Sequence, residues 1–188
     1  MPGHRTVIIG ITGGTASGKS TLARKLAEAL GDLSVTVIGM DRYFKADKPL
    51  HKAPLTAREW PDFNSPDSFH LDALVADLDA LIFSAEAPDV AIVEGLMTLQ
   101  HEPLRERLDL KVFVDAPADE RIVRRLRRNM AERGLTFDEI ATFYLESVRF
   151  RHEQYVEPSR WHVDIVINGL TMPEAGVQML AEWIRQRR

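Results

Sequence analysis

Gly13-Gly-Thr-Ala-Ser-Gly-Lys-Ser20 fits the phosphate-binding loop pattern G-x-x-x-x-G-K-[ST] without a mismatch, and Thr21 extends it. Glycines at 13, 14 and 18 let the backbone wrap an anion and point successive N–H groups inward, with Thr15, Ala16 and Ser17 completing the turn. Lys19 carries a mobile ammonium to the β- and γ-phosphates, and the Ser20 hydroxyl is suited to Mg²⁺. The helix that follows offers its positive N-terminal end to the same anion.

The flanks support the loop. At average residue usage the pattern arises by chance in a chain of this size about once in a hundred times. Here Thr6-Val-Ile-Ile-Gly-Ile11 is an apolar, β-branched run suited to a buried parallel strand. Thr21 to Leu30 is an amphipathic helix with Leu22, Leu26, Ala29 and Leu30 on one face, and Gly31 is placed to end it. Strand, loop and helix stand in the order the motif requires, so the glycines read as a nucleoside-triphosphate site rather than as a flexible linker.

The 188 residues predict one domain spanning 1–188, large enough to bury about 70% of its unfolded surface. Apolar residues make up 45% and charged residues 28%, ordinary for a globular protein. A net charge of −4 offers no basic field to nucleic acid. The absence of cysteine excludes disulfides and thiolate catalysis and agrees with a reducing compartment. The first strand is expected from Thr6, which leaves no room for a signal peptide, and no apolar run approaches the roughly 18 residues of a membrane span. The expectation is a cytoplasmic protein with a small-molecule partner and neither nucleic acid nor membrane. Its oligomeric state is left open, a homo-oligomer included. The six histidines are scattered and suggest no transition-metal site.

Strands and helices alternate along the chain. Strands are expected at Ser34–Gly39, Asp89–Val93, Leu110–Val114 and Val163–Ile167. Helices are expected at Leu71–Phe83, Pro117–Arg133, Asp138–Tyr155 and Pro173–Arg187. Residues 42 to 69, rich in proline, aromatics and charge, read mostly as a long functional loop. This alternation predicts an α/β fold with a parallel five-stranded sheet and helices on both faces.

Ligands of open α/β sheets bind beyond the carboxyl ends of the strands. Asp41, Glu94 and Asp115 fall there. Asp115, two residues before Pro117, reads as a helix cap. Asp41 and Glu94 are the candidates for taking a proton from an acceptor hydroxyl and for standing near the metal. Arg121, Arg124, Arg125 and Arg128 share one helical face, with Ile122, Val123, Leu126 and Met130 as the expected apolar stripe. In a phosphate-loop protein such a face, together with Arg133, suits a lid over the transferring phosphate. Trp60, Trp161 and Trp183 read as packing residues, with Trp60 and Phe63 also placed to stack on an acceptor.

These segments together resemble the uridine kinase and phosphoribulokinase family, uridine-cytidine kinases above all, from the phosphate loop to about Gly169. Asp41-Arg-Tyr-Phe-Lys45 resembles the family's D-S-F-Y motif, Asp62-Phe-Asn-Ser-Pro-Asp-Ser-Phe69 its F-D-H-P-D-A-F segment, and Val93-Glu-Gly95 its E-G motif. Arg124 to Gly134 resembles its lid signature R-R-x-x-R-D-x-x-E-R-G-R, and His152-Glu-Gln-Tyr-Val-Glu-Pro158 also fits. The resemblance implies the three-layer P-loop sandwich with an Arg-rich lid at about 124–137, and transfer of the ATP γ-phosphate to a primary hydroxyl. It implies Asp41 as base, Lys19, Arg125 and Arg128 in transfer, and Arg128 and Arg133 also on ATP. It further implies Ser20, Glu94 and Asp41 around Mg²⁺, and Asp41, Tyr43, Phe63, Asn64 and Arg125 at the acceptor.

The departures lie at the acceptor end. Only five residues separate the 71–83 helix from Asp89, where uridine kinases carry a base-contacting hairpin. Leu135 stands in place of a lid arginine, Phe143 in place of a base-contacting glutamine, and Asn64 in place of a ribose-binding aspartate. The shorter middle section is more similar to nicotinamide riboside kinases, so a nicotinamide riboside- or pantothenate-type acceptor is a second expectation. A nucleotide-switched binding protein is a third, weakened by the absence of an N-K-x-D motif.

Overall fold

The computed structural model describes residues 5–188. Five strands, β1 (Val7–Thr12), β2 (Val35–Gly39), β5 (Val90–Glu94), β6 (Leu110–Asp115) and β7 (Ile165–Asn168), form one sheet in the order β2-β5-β1-β6-β7. All four ladders are parallel, as expected from the alternation, with Ile9 opposite both Ile92 and Leu110 at the centre.

Period-two side-chain alternation divides the core between the two sheet faces. Ile9 and Ile11 of β1 pack with Leu22 and Leu26 of α1 (Lys19–Ala29) and with Leu180 and Ile184 of α7 (Glu174–Arg185). Ile8 of the same strand joins Leu74 and Leu78 of α2 (Leu71–Ile82) on the other face. Gly10 lets Leu108 close over the sheet, since a Cβ there would lie 2.3 Å from Leu108 Cδ1.

Residues 42 to 69 are more ordered than a long loop. They contain a short antiparallel hairpin, β3 (Leu50–Lys52) with β4 (Glu59–Pro61), between 3₁₀ turns at Met40–Tyr43 and Pro66–Ser68. Three-residue strands with three prolines nearby carry no period-two signal that a sequence reading could use. A short helix, α3 (Glu102–Arg105), was likewise not expected.

The Arg-rich helix α4 (Ala118–Arg133) turns over the expected amphipathicity. Arg121, Arg125 and Asn129 are buried, whereas Val123 and Met130 of the expected apolar stripe are 43% and 47% exposed. Polar groups on the phosphate loop and β6 end receive the arginines, so this helix docks by hydrogen bonds instead of an apolar seam. Beyond Gly134, α5 (Phe137–Phe143) begins with a capping box between Thr136 and Glu139. It continues through π-helical Tyr144–Val148, α6 (Arg149–Arg151) and π-helical His152–Val156 into a 3₁₀ turn at Glu157–His162. Trp161 in that turn is 88% exposed and is not a packing residue, whereas Trp183 packs against the core.

Candidate active site

The carboxyl ends of β1, β2 and β5 open into one cleft of about 710 Å³, walled on the far side by α4 and α5. That volume is within the range of small-ligand sites, roughly 300–1,000 Å³. At one end lies the phosphate loop. Gly13 (φ 142°) and Gly18 (φ 106°) hold conformations open to glycine, and a Cβ on Gly13 would come within 2.3 Å of the Val114 carbonyl oxygen. Ala16 takes φ 58° with a minimal side chain, strain of the kind found at ligand-holding turns. The Gly14 carbonyl accepts from Ser17 N–H at 3.1 Å and from Lys19 Nζ at 2.9 Å. Thr15, Ala16, Lys19 and Ser20 line the cleft, Gly13, Gly14 and Ser17 are buried in the loop beside the partly covered Gly18, and Thr21 faces solvent on α1.

The acidic strand ends meet this loop. Ser20 Oγ donates to Glu94 Oε1 at 2.9 Å, and Asp41, in the turn after β2, lines the same cleft. Burial pushes the Lys19 ammonium down to about 8, against the Glu94 and Asp41 carboxylates that favour its charge.

Arginines form the opposite wall. Arg125 NH1 donates to Thr15 Oγ1 at 2.9 Å, and its Nε is buried without a partner. Burial pushes Arg125 down to about 10, and the guanidiniums of Arg128 and Arg133 push it the same way. Arg128 is lowered too, by burial and then by Arg133, and its Nε donates to Asn129 Oδ1 at 3.1 Å. Three mutually repelling guanidiniums facing one cleft suit an anion of several charges, to which Arg binds as a planar fork.

The other end is aromatic. Phe63 stands edge-on to Phe44 and Phe143, with centroids 5.9 and 6.2 Å away. Trp60 packs on Phe143 at 5.3 Å, donates its indole N–H to Glu146 at 2.8 Å, and is covered by Arg58 at 4.1 Å. Asn64 lines the cleft; its backbone N–H donates to Asp62 Oδ1 at 2.8 Å, while its Nδ2 is buried without a partner. Asp62 is itself held by Arg151 at 2.8 Å.

Two sequence expectations end elsewhere. Tyr43 does not line the cleft. Its hydroxyl donates to Asp77 at 2.7 Å, and burial together with that bond pushes it up to about 12; Phe44 faces the cleft in its place. Asp115 caps no helix, because its carboxylate pairs with Arg160 at 2.8 Å and α4 begins at Ala118, behind Pro117, without a side-chain cap. Sequence reasoning also missed Arg58 and Asn129 in the cleft wall. Asn129 stands four residues after Arg125 and so on the same helical face, a signal that was available. Arg58 sits in the unexpected hairpin and had none.

The chain matches the model of the phosphoribulokinase / uridine kinase family over residues 8–87 and 82–175. A uridine kinase of Deinococcus deserti is 38% identical over 207 residues, covering 98% of this chain and 99% of the relative. A uridine kinase of Clostridium botulinum (strain Okra) is 36% identical over 198 residues, covering 94% and 92%. Both matched stretches are longer than the 188-residue chain, so these relatives carry residues for which it has no counterpart. A solved structure from Silicibacter sp. TM1040 shares the fold, with a TM-score of 0.67 at 18% identity over 88% of this chain and 91% of the other. On a motif set that runs from the phosphate loop to the Arg-rich helix, and on identity sustained along the chain, this protein belongs to the phosphoribulokinase / uridine kinase family.

Proposed function

We propose that this chain is one kinase domain, 1–188, that transfers the γ-phosphate of ATP to a primary hydroxyl of a small acceptor, a nucleoside or related ribosyl compound. The observation that carries the reading is the shared cleft: Lys19, Ser20, Glu94, Asp41, the arginines and the aromatic rings all line it. A donor phosphate and an acceptor hydroxyl can meet there in one oriented complex.

Lys19 and the loop N–H groups hold the β- and γ-phosphates. Ser20, Glu94 and Asp41 supply hard oxygen donors of the kind Mg²⁺ takes beside substrate phosphates; the Ser20–Glu94 bond and the place of Asp41 in the same cleft support the reading. Bound there, Mg²⁺ would neutralise charge on the transferring group. Asp41 takes the hydroxyl proton as the acceptor oxygen bonds to the γ-phosphorus and the bond to the β–γ bridging oxygen breaks, releasing ADP. Arg125, Arg128 and Arg133 bear on the equatorial oxygens from a lid at about 124–137. Phe63 and Asn64 contact the acceptor. A cytoplasmic setting, where ATP is supplied, agrees with this reading.

One observation favours a second acceptor class. Leu135, Ile140 and Phe143 make the acceptor end apolar, which suits nicotinamide riboside or a pantothenate-type alcohol as well as a pyrimidine nucleoside. ADP release across nucleosides, nicotinamide riboside, pantothenate and sugars tests the proposal. Acceptor-dependent ADP with a matching phosphomonoester supports it; ADP and free phosphate in equal amounts, whatever the acceptor, would replace it with a nucleotide-hydrolysing switch.

A further inference from the structure

A polar pair, Arg121 buried and His152 half-buried, lies behind the phosphate loop, outside the cleft. Arg121 is 5% exposed, and its NH1, Cζ and Nε all stand within 3.0 Å of the place a Cβ on Gly14 would take. The guanidinium therefore covers Gly14 face-on, and only glycine leaves room for it. Arg121 Nε donates to the Ala116 carbonyl at 2.9 Å, NH2 lies 3.3 Å from His152 Nε2, and NH1 is buried without a partner. Gly14 is also the residue whose carbonyl accepts from Lys19 and from Ser17 N–H.

His152 opens the second π-helical segment, a geometry that often marks functional positions. The groups facing its ring are Arg121 from α4, Lys19 from the phosphate loop and Glu157 from the following turn, at 3.4 Å. Burial, then Arg121, push the imidazole down to about 4, so it is neutral near pH 7. A guanidinium only donates, so a bond from Arg121 requires Nε2 to accept and the ring proton to sit on Nδ1, which is buried without a partner; the competing contact of Nε2 is Glu157 Oε2, which would require an Nε2–H. Glu157 continues to Arg160 at 3.0 Å, and Arg160 to Asp115 at 2.8 Å, which ties the pair to the end of β6.

We propose that Arg121 and His152 are positioning residues for the phosphate loop: His152 holds the guanidinium over Gly14, and the guanidinium holds the Gly14 peptide in the orientation that places Lys19. Arg121 adds positive potential behind the anion without touching it. The inference rests on the reading of the loop as the triphosphate site.

The test is calorimetric binding of Mg-ATP and Mg-ADP to the full chain and its variants, beside steady-state kinetics. His152→Leu and Arg121→Lys are expected to lose about tenfold in affinity for both nucleotides, since each gives up a hydrogen bond to a charged group. His152→Gln, whose amide oxygen can accept from Arg121, should stay within about threefold of the parent. The maximal rate at saturating nucleotide should change less than affinity in all three. Equal losses in His152→Gln and His152→Leu, or a lower rate at unchanged affinity, would overturn the assignment. An unmodified chain that binds neither nucleotide would refute the triphosphate reading itself. Should His152→Leu not fold, nitrogen-15 spectra of histidine-labelled protein decide: a neutral ring protonated on Nδ1 between about pH 6 and 8 is expected, and an imidazolium or an Nε2–H tautomer would contradict it.

Discussion

The Ser20 hydroxyl donates to Glu94 Oε1 at 2.9 Å, joining the last residue of the phosphate loop motif to the end of β5, 74 residues later in sequence. The contact brings two oxygen donors to one point beside Lys19 and the phosphate loop. Glu94→Gln keeps the size of the side chain and removes its charge, so it should raise the Mg²⁺ concentration needed for half-maximal activity. Lys19→Ala should abolish transfer. A Mg²⁺ titration of Glu94→Gln that overlays the parent curve would remove Glu94 from the metal's surroundings.

Lys19 sets a pH dependence. Its value in the free protein is lowered from the ordinary 10.5 to about 8, burial being the main cause. Below that value the ammonium is charged and ready for phosphate; above it the free protein loses the charge. Because the bound phosphate favours the charged form, kcat/KM for ATP should fall as pH rises through about 8, while kcat at saturation falls at higher pH. A kcat/KM profile that stays flat to about pH 9.5 would place Lys19 near its ordinary value.

Arg128 lies among cationic neighbours and fixes its guanidinium through Asn129. Lysine would keep the charge and lose the planar fork. Arg128→Lys should therefore lower kcat more than it weakens ATP binding. Equal losses would indicate ground-state binding alone.

Much of this fold was legible because β1, the phosphate loop and α1 carry three independent signals in a row, and the remaining strands are short β-branched runs between helical patterns. Where a residue type is tied to a strand end, as for Asp41 and Glu94, the sequence placed it in the cleft beside the phosphate loop. The site was misread where tertiary partners decide. Nothing local in Asp41-Arg-Tyr-Phe-Lys45 says that Tyr43 reaches Asp77 on α2 and that Phe44 turns inward. On α4, counting apolar residues selected the wrong inner face, because guanidiniums were buried against backbone and hydroxyl oxygens of the phosphate loop region. The Trp60–Glu146 bond spans 86 residues and depends on a hairpin that has no sequence pattern of its own.

The acceptor end predicts weak handling of uridine. Leu135 and Phe143 offer no hydrogen bonds to a pyrimidine, and each one lost to a buried base costs about 1–3 kcal/mol. The kcat/KM for uridine should lie below about 10⁴ M⁻¹s⁻¹, the low end for ordinary enzymes, with a less polar or smaller acceptor preferred. A uridine value at or above that figure would mean that the hairpin segment reads the base through Arg58, Trp60 or Asn64.

Asp41 carries the chemistry of the account, and its substitution tests it most directly. Asp41→Asn preserves shape and removes the proton acceptor. Measured by single-turnover transfer at saturating Mg-ATP and acceptor, the variant should bind ATP as the parent does and transfer phosphate about 10²- to 10⁴-fold more slowly. Transfer within a few-fold of the parent rate would contradict the account, because the shared cleft would then hold the substrates without Asp41 taking the proton.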